Sequence, residues 1–254
     1  HYSLDFREYA VGSLRRRLWL RAEAEGVTTI SGLQERVLHD DACMEQLLLD
    51  LSVNVTAMFR DPSFYRAFRT KVVPLLRTYP FIRIWNAGCS TGEEAYSMAI
   101  LLHEEGLYER TRIYATDINE TVIDRARAGV FALDKMRAYT KNYIDAGGTR
   151  AFSEYYASGS EGATFARSLV DNVVFAQHNL VQDRSFNEFN VITCRNVMIY
   201  FAKPLQDRVH RLFYESLGTF GVLALGRKES LKASRHEACY KELDAAEKLY
   251  RRVR

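Results

Sequence analysis

The chain has 254 residues, 47% apolar and 26% charged, with a formal charge of +3: enough apolar side chain for a packed core, and too little positive charge to argue for nucleic acid. Its four cysteines (Cys43, Cys89, Cys194, Cys239) are scattered with no CxxC pair, which excludes a zinc ribbon and a disulfide framework, leaves no metal to assign and fits a reducing, cytoplasmic setting. No apolar run approaches the roughly 20 residues that span a bilayer and no basic-then-apolar leader opens the sequence, so neither membrane insertion nor a signal peptide is expected.

Up to about Leu51 the apolar residues recur at helical spacing. Leu14, Leu18 and Leu20 punctuate a basic segment, Leu33, Val37 and Leu38 form a second stripe, and Met44, Leu47, Leu48 and Leu51 a third. This predicts a small N-terminal all-helical domain with its linker over 1–62, followed by a catalytic domain over 63–254. In the latter, strand-like segments (Ile82–Asn86, Arg112–Thr116, Val173–Gln177, Asn190–Thr193, Val222–Leu225) alternate with helix-like ones (Phe64–Leu76, Glu93–Glu105, Glu120–Ala128, Leu205–Leu217). Such alternation predicts an α/β fold with a doubly wound, Rossmann-like parallel sheet. Glycine clusters flanked by Tyr155-Tyr156 and Thr164-Phe165 mark a small β insertion at about 148–172. The tail, Ala238–Leu243 and Lys248–Val253, reads as an antiparallel C-terminal hairpin.

The first strand runs into Ala87-Gly88-Cys89-Ser90-Thr91-Gly92-Glu93-Glu94 and then a helix. The spacing is neither GxGxxG nor a P-loop, and no lysine follows to hold phosphate. Two carboxylates stand at the helix start instead. They would repel a pyrophosphate and suit a ligand bearing an ammonium and a sulfonium, as S-adenosylmethionine does. Thr91-Gly92-Glu93-Glu94 equally matches a capping box, with Glu94 reaching back along the backbone. The next strand ends at Asp117, about 20 residues on, where a carboxylate suits ribose hydroxyls; the alternative is that Asp117 or Asn119 caps the following helix.

Two further strings are distinctive: Leu51-Ser52-Val53-Asn54-Val55-Thr56-Ala57-Met58-Phe59-Arg60-Asp61-Pro62, and Cys194-Arg195-Asn196-Val197-Met198-Ile199-Tyr200-Phe201. With Ala87–Glu94 they resemble the CheR family of chemotaxis receptor methyltransferases, over essentially the whole chain. The resemblance implies a class I methyltransferase fold with S-adenosylmethionine as cofactor and S-adenosylhomocysteine as product. It implies cofactor contacts from Asn54, Thr56, Arg60, Gly88, Glu94, Asp117, Asn179, Leu180, Arg195 and Asn196, with Tyr200 facing the methyl group. Arg60 and Tyr200 are the candidate catalytic residues. Asp61 and Pro62 also fit an N-cap and first helical position, which would aim Arg60 inward. Cys194 and His178 read as structural.

The implied reaction is transfer of the methyl to glutamates on chemoreceptor helices, giving γ-glutamyl methyl esters. A glutamate is already ionised at neutral pH, its reference pKa being about 4.3, so no general base is required. Arg15, Arg16 and Arg17, on the first helix with Arg7 and Arg21, are candidate substrate-binding residues, since a basic face would steer a glutamate-rich receptor. Gly226-Arg227-Lys228-Glu229-Ser230-Leu231 adds positive charge near the expected substrate entrance. In some family members the β insertion binds a peptide at the receptor's end as an added strand; the Ser158–Gly162 turn is shorter here and argues against that tether. A monomer is expected. The alternatives are a nucleic-acid methyltransferase, which would show an Asp/Asn-Pro-Pro-Tyr/Phe string where Cys194–Val197 stands, and a chemosensory adaptor that binds the cofactor with little turnover.

Overall fold

A computed structural model describes residues 5–52, 56–232 and 234–254. Three helices form the N-terminal unit: α1 (Val11–Ala24), α2 (Ile30–His39) and α3 (Asp41–Leu51). Thr29 caps α2 by accepting from Gly32 N, and Asp40 caps α3 by accepting from Ala42 and Cys43 N. Ala22, Leu33 and Cys43, one from each helix, make its small core.

The main sheet has seven strands: β1 (Ile82–Ala87), β2 (Thr111–Asp117), β6 (Val173–Gln177), β7 (Phe189–Cys194), β8 (Leu217–Leu225), β9 (Tyr240–Asp244) and β10 (Leu249–Arg252). Their order is β6-β2-β1-β7-β8-β10-β9. The first five run parallel, and β10 and β9 add an antiparallel hairpin. Alternate residues of β1 feed opposite layers, Ile84 joining one core and Trp85 the other. The Ile84 side is covered by α4 (Pro62–Ala67), a π turn (Phe68–Val72), α5 (Val73–Leu76) and α6 (Glu93–Glu104). The Trp85 side is covered by α9 (Lys203–Ser216), through Leu205, Val209 and Phe213. Helix α7 (Glu120–Ala128) follows β2.

The doubly wound fold, the hairpin and the small second sheet agree with the sequence reading. That second sheet is built from β3 (Val130–Phe131), β4 (Tyr156–Gly159) and β5 (Gly162–Phe165) in the order β3-β5-β4. Its third strand comes from before the glycine-rich segment, and α8 (Leu133–Asp145) intervenes. Among the described residues no helix is long and apolar enough to cross a membrane.

Candidate active site

Strand order reverses between β1, which leads to β2, and its other neighbour β7. In open α/β sheets the ligand crevice lies at such a switch, beyond the carboxyl ends of the strands. A cavity opens there, and Thr56, Arg60, Gly88, Glu94, Asp117, Asn179, Leu180, Arg195, Asn196 and Tyr200 all border it. Asn54 lies outside the described residues. Tyr9, Leu51 and Ser52 close the cavity from the N-terminal unit. Tyr9 carries no sequence signal, because only the fold brings residue 9 here.

The first wall is the β1–α6 turn. Gly88 and Cys89 donate to the Thr116 carbonyl at 2.8 and 2.9 Å, bending the chain sharply off β1. Gly88 has φ +80°, and a Cβ there would lie 2.4 Å from Val197 Cγ2, so only glycine lets the turn approach the opposite wall. The two acids then part company. Glu93 is buried and accepts from Thr91 Oγ1 (2.6 Å) and Tyr139 Oη (3.1 Å). Glu94 alone borders the cavity, with Oε1 accepting from Asn86 Nδ2 (2.8 Å) and Oε2 from Arg195 Nη1 (2.9 Å). The expected pair of acids at the ligand is therefore corrected to one acid already partnered by an arginine. The capping box does not form: Gly92 is the N-cap, and no side chain caps the helix.

Asp117 ends β2. Its oxygens accept from Ser90 N (2.9 Å) and Asn119 N (3.2 Å). Burial pushes its pKa up, against the pull of those N–H groups. The cap of α7 falls to Asn119, which accepts from Thr121 N at 2.9 Å, so capping the helix and bordering the cavity are divided between two residues. Asn179 follows β6 in a tight turn, its Oδ1 accepting from Val181 N (2.9 Å) and its N–H donating to Asp183 Oδ2 (2.7 Å). His178 is buried edge-on against Trp85, with Nε2 3.3 Å from the Arg184 carbonyl, and burial lowers its pKa. Its packing fits the structural role, although it also borders the cavity.

The second wall follows β7. Arg195 is buried and forked: Nη1 meets Glu94, and Nη2 donates to the Arg60 carbonyl and to Asp61 Oδ2, each at 2.9 Å. Its guanidinium lies 4.0 Å above the Phe64 ring centre. Burial opposes its charge, but Glu94, Tyr65 and Asp61 outweigh that and raise its pKa. Pro62 does occupy the first turn of α4, and Asp61 the N-cap position, but the Asp61 side chain caps nothing. With φ +55° it turns toward Arg195 instead. Arg195, not a cap, fixes the Arg60–Asp61 corner.

Asn196 has φ +62°. Its N–H, with those of Val197 and Met198, converges on the Glu229 carboxylate at 3.1, 2.9 and 2.7 Å, and Gly226 N adds a fourth bond at 2.6 Å. Burial raises the Glu229 pKa while these four donors lower it. Sequence reasoning missed this anchor. The segment was read for positive charge, yet Arg227 is paired with Glu247 at 2.8 Å, and the acid between Lys228 and Ser230 does the structural work. Tyr200 ends a 3-10 turn (Met198–Tyr200), and its carbonyl accepts from Ala10 N at 2.8 Å. The Arg15–Arg17 run also divides. Arg15 and Arg16 are exposed, whereas Arg17 is buried, donates to the Leu51 carbonyl and lies 4.5 Å above the Tyr200 ring centre. Arg17 is thereby removed from the expected basic receptor face.

The donor set fits an adenosyl amino acid. Glu94 has lone pairs to spare for an ammonium, Arg60 offers a cation for a carboxylate, Asp117 suits a diol, and Ile118, Leu180 and Val181 supply apolar surface. No lysine borders the cavity, and among the described residues no cluster of His, Cys, Asp or Glu could hold a metal ion. Residues 54–246 match the family described as CheR methyltransferase, SAM binding domain, and residues 1–52 match the CheR methyltransferase all-alpha domain. The chain belongs to the CheR methyltransferase family. Its relatives include a protein of Pseudomonas putida KT2440, provisionally named methyltransferase Cher3, 51% identical over 251 residues that cover 99% of this chain and 92% of that one. The chemotaxis protein methyltransferase 2 of Pseudomonas aeruginosa PAO1 is 34% identical, covering 76% and 69%. The chemotaxis protein methyltransferase of Salmonella typhimurium LT2 is 32% identical, covering 71% and 62%. This CheR-family chain is a methyltransferase whose cofactor is S-adenosylmethionine.

Proposed function

We propose that this CheR-family enzyme esterifies glutamate side chains on the cytoplasmic helices of a bacterial chemoreceptor, as part of sensory adaptation. The relatives named chemotaxis protein methyltransferases support the setting. The observation that carries the chemistry is the meeting of Arg60 and Tyr200 at the cavity bordered by Glu94 and Asp117. Arg60 and Tyr200 bring hydrogen-bond donors to an acceptor that arrives already anionic, so the site needs to orient rather than deprotonate.

The bound cofactor supplies an electrophilic methyl on a positively charged sulfur. Glu94 holds the amino-acid end and Asp117 the ribose, while Thr56, Asn179 and Leu180 flank the nucleoside. Arg60 anchors a carboxylate, and the Tyr200 hydroxyl orients the reacting oxygen with one hydrogen bond. Arg195 and Asn196 shape the wall between them. Arg15 and Arg16, exposed on α1, steer the glutamate-rich acceptor. The Ser160-Glu161 turn between β4 and β5 leaves no long loop for a peptide tether, so the receptor engages through its methylated helices.

Mass spectrometry of chemoreceptors co-expressed with and without the protein tests this reading: base-labile single-methyl gains on glutamate are expected, and cofactor binding without such gains would leave an adaptor in its place. Arg60→Ala is expected to lose most methyl incorporation and Tyr200→Phe a smaller part. Near-normal turnover in both would remove them from the mechanism.

A further inference from the structure

We propose that Arg17 is a positioning residue for Tyr200, so that the N-terminal helical unit completes the methyl-transfer site instead of serving only as a docking face. The inference rests on Tyr200 orienting the methyl acceptor.

Arg17 is the inward member of a basic run and only 6% exposed. A buried guanidinium is costly unless its charge is paired. Among the described residues no carboxylate forms an ion pair with Arg17, in contrast to Arg21 one turn on, which meets both Glu25 and Asp50. Its compensation is the Leu51 carbonyl and the face of Tyr200. Burial lowers its pKa, and the adjacent Tyr200 side chain opposes that shift. Were packing the only need, a methionine would fill the site without that cost.

The backbone of Tyr200 is held from the same side. Ala10 N donates to the Tyr200 carbonyl and Ala202 N to the Glu8 carbonyl, both at 2.8 Å. Tyr9 and Phe201 form an antiparallel bridge with ring centres 4.9 Å apart. The segment before α1 therefore fixes where Tyr200 starts, and Arg17 fixes where its ring lies. An arginine can only donate. Stacked over the ring face, Arg17 offers the phenol proton no acceptor, so that proton is left to point elsewhere. The cavity that Tyr200 borders is where an anionic acceptor needs that proton.

The test compares wild type, Arg17→Met, Arg17→Lys, Arg16→Met, Tyr200→Phe and the Arg17→Met/Tyr200→Phe double variant in the full chain. One arm needs no turnover: tyrosine labelled with carbon-13 at the hydroxyl-bearing carbon, the Tyr200 resonance assigned by its loss in Tyr200→Phe. That resonance should move in Arg17→Met and stay in Arg16→Met. The other arm measures methyl transfer to a purified chemoreceptor cytoplasmic fragment. Arg17→Met should lower kcat about 10- to 100-fold, the range that misplacing a reacting group costs, with acceptor KM and S-adenosylhomocysteine affinity unchanged. The double variant should be no worse than Tyr200→Phe alone. A resonance that does not move, losses that multiply in the double variant, or a raised KM with intact kcat would each overturn the proposal. If Arg17→Met fails to fold, Arg17→Lys, which keeps the charge and loses the planar stack, carries the same readouts. Should wild type methylate no glutamate, the labelled-tyrosine arm still decides the role of Arg17.

Discussion

Two walls face each other across the cavity, and they are held in different ways. The wall made by β1, β2 and α6 is fixed by neighbours: Gly88 and Cys89 bond to the adjacent strand at Thr116, and Ser90 N bonds to Asp117. The wall from Arg195 to Ala202 borrows its partners from across the chain. Glu94 and Asp61 hold Arg195, Glu229 gathers three successive N–H groups, and residues 8–10 with Arg17 pin Tyr200. The first wall is fixed mostly within one βαβ unit, with Glu94 reaching across to Arg195. The second wall depends on buried charges and long-range bonds, so loosening Tyr200 at its far end should lower turnover more than cofactor binding.

The hardest blow to that contrast is Arg195→Met. It strands Glu94 and Asp61 beside a buried site and should cost about 3–5 kcal/mol, read by urea denaturation. A loss below about 1 kcal/mol would mean that the second wall does not hang on this fork. Acid tests the support beneath it. His210, buried on α9, has its pKa lowered to about 4, chiefly by burial. The unfolded chain therefore takes up the proton first, and stability should fall as pH drops from about 6.5 to about 4, by up to about 3 kcal/mol. His210→Gln should flatten that slope in urea midpoints measured against pH.

Asp117→Asn probes the first wall. It should weaken S-adenosylhomocysteine binding about 10- to 100-fold by calorimetry, since hydrogen bonds to a charged group are worth about 1.5–3 kcal/mol. The fold should not suffer in step. Burial raises the Asp117 pKa, so its contribution to stability is greatest below 3.8 and shrinks as pH rises through the shifted value. Cofactor affinity should run the opposite way, falling as acid neutralises the carboxylate, and Asp117→Asn should abolish that limb. The smallest effect is expected from Arg15→Glu with Arg16→Glu. Stability should change by less than about 0.5 kcal/mol, while the acceptor KM rises and loses its salt dependence. An unchanged KM at low ionic strength would leave α1 without a steering role.

The main strands were legible because β-branched and aromatic runs such as Ile82–Asn86 stand between polar stretches. The first wall was legible too, since glycines and a carboxylate at set spacing follow from local geometry. Helix α8 escaped because its inward residues, Met136, Tyr139 and Tyr143, are thinly spread through a polar segment. Strand β3 escaped because two residues leave no period to read. The second wall was read only as a string. Which of Glu93 and Glu94 borders the cavity, which of three arginines turns inward, and that Glu229 serves four N–H groups all depend on partners that sequence spacing does not reveal.

The tie between Glu8 and Arg208 joins residues 200 positions apart. Loops of that span close late, because most of the chain's freedom must be surrendered before such a contact yields anything. A ribosome would release the opening segment long before its mate, leaving Tyr9 to wait for Phe201. The second wall is therefore the late-closing side of the cavity, because its tie to residues 8–10 spans most of the chain.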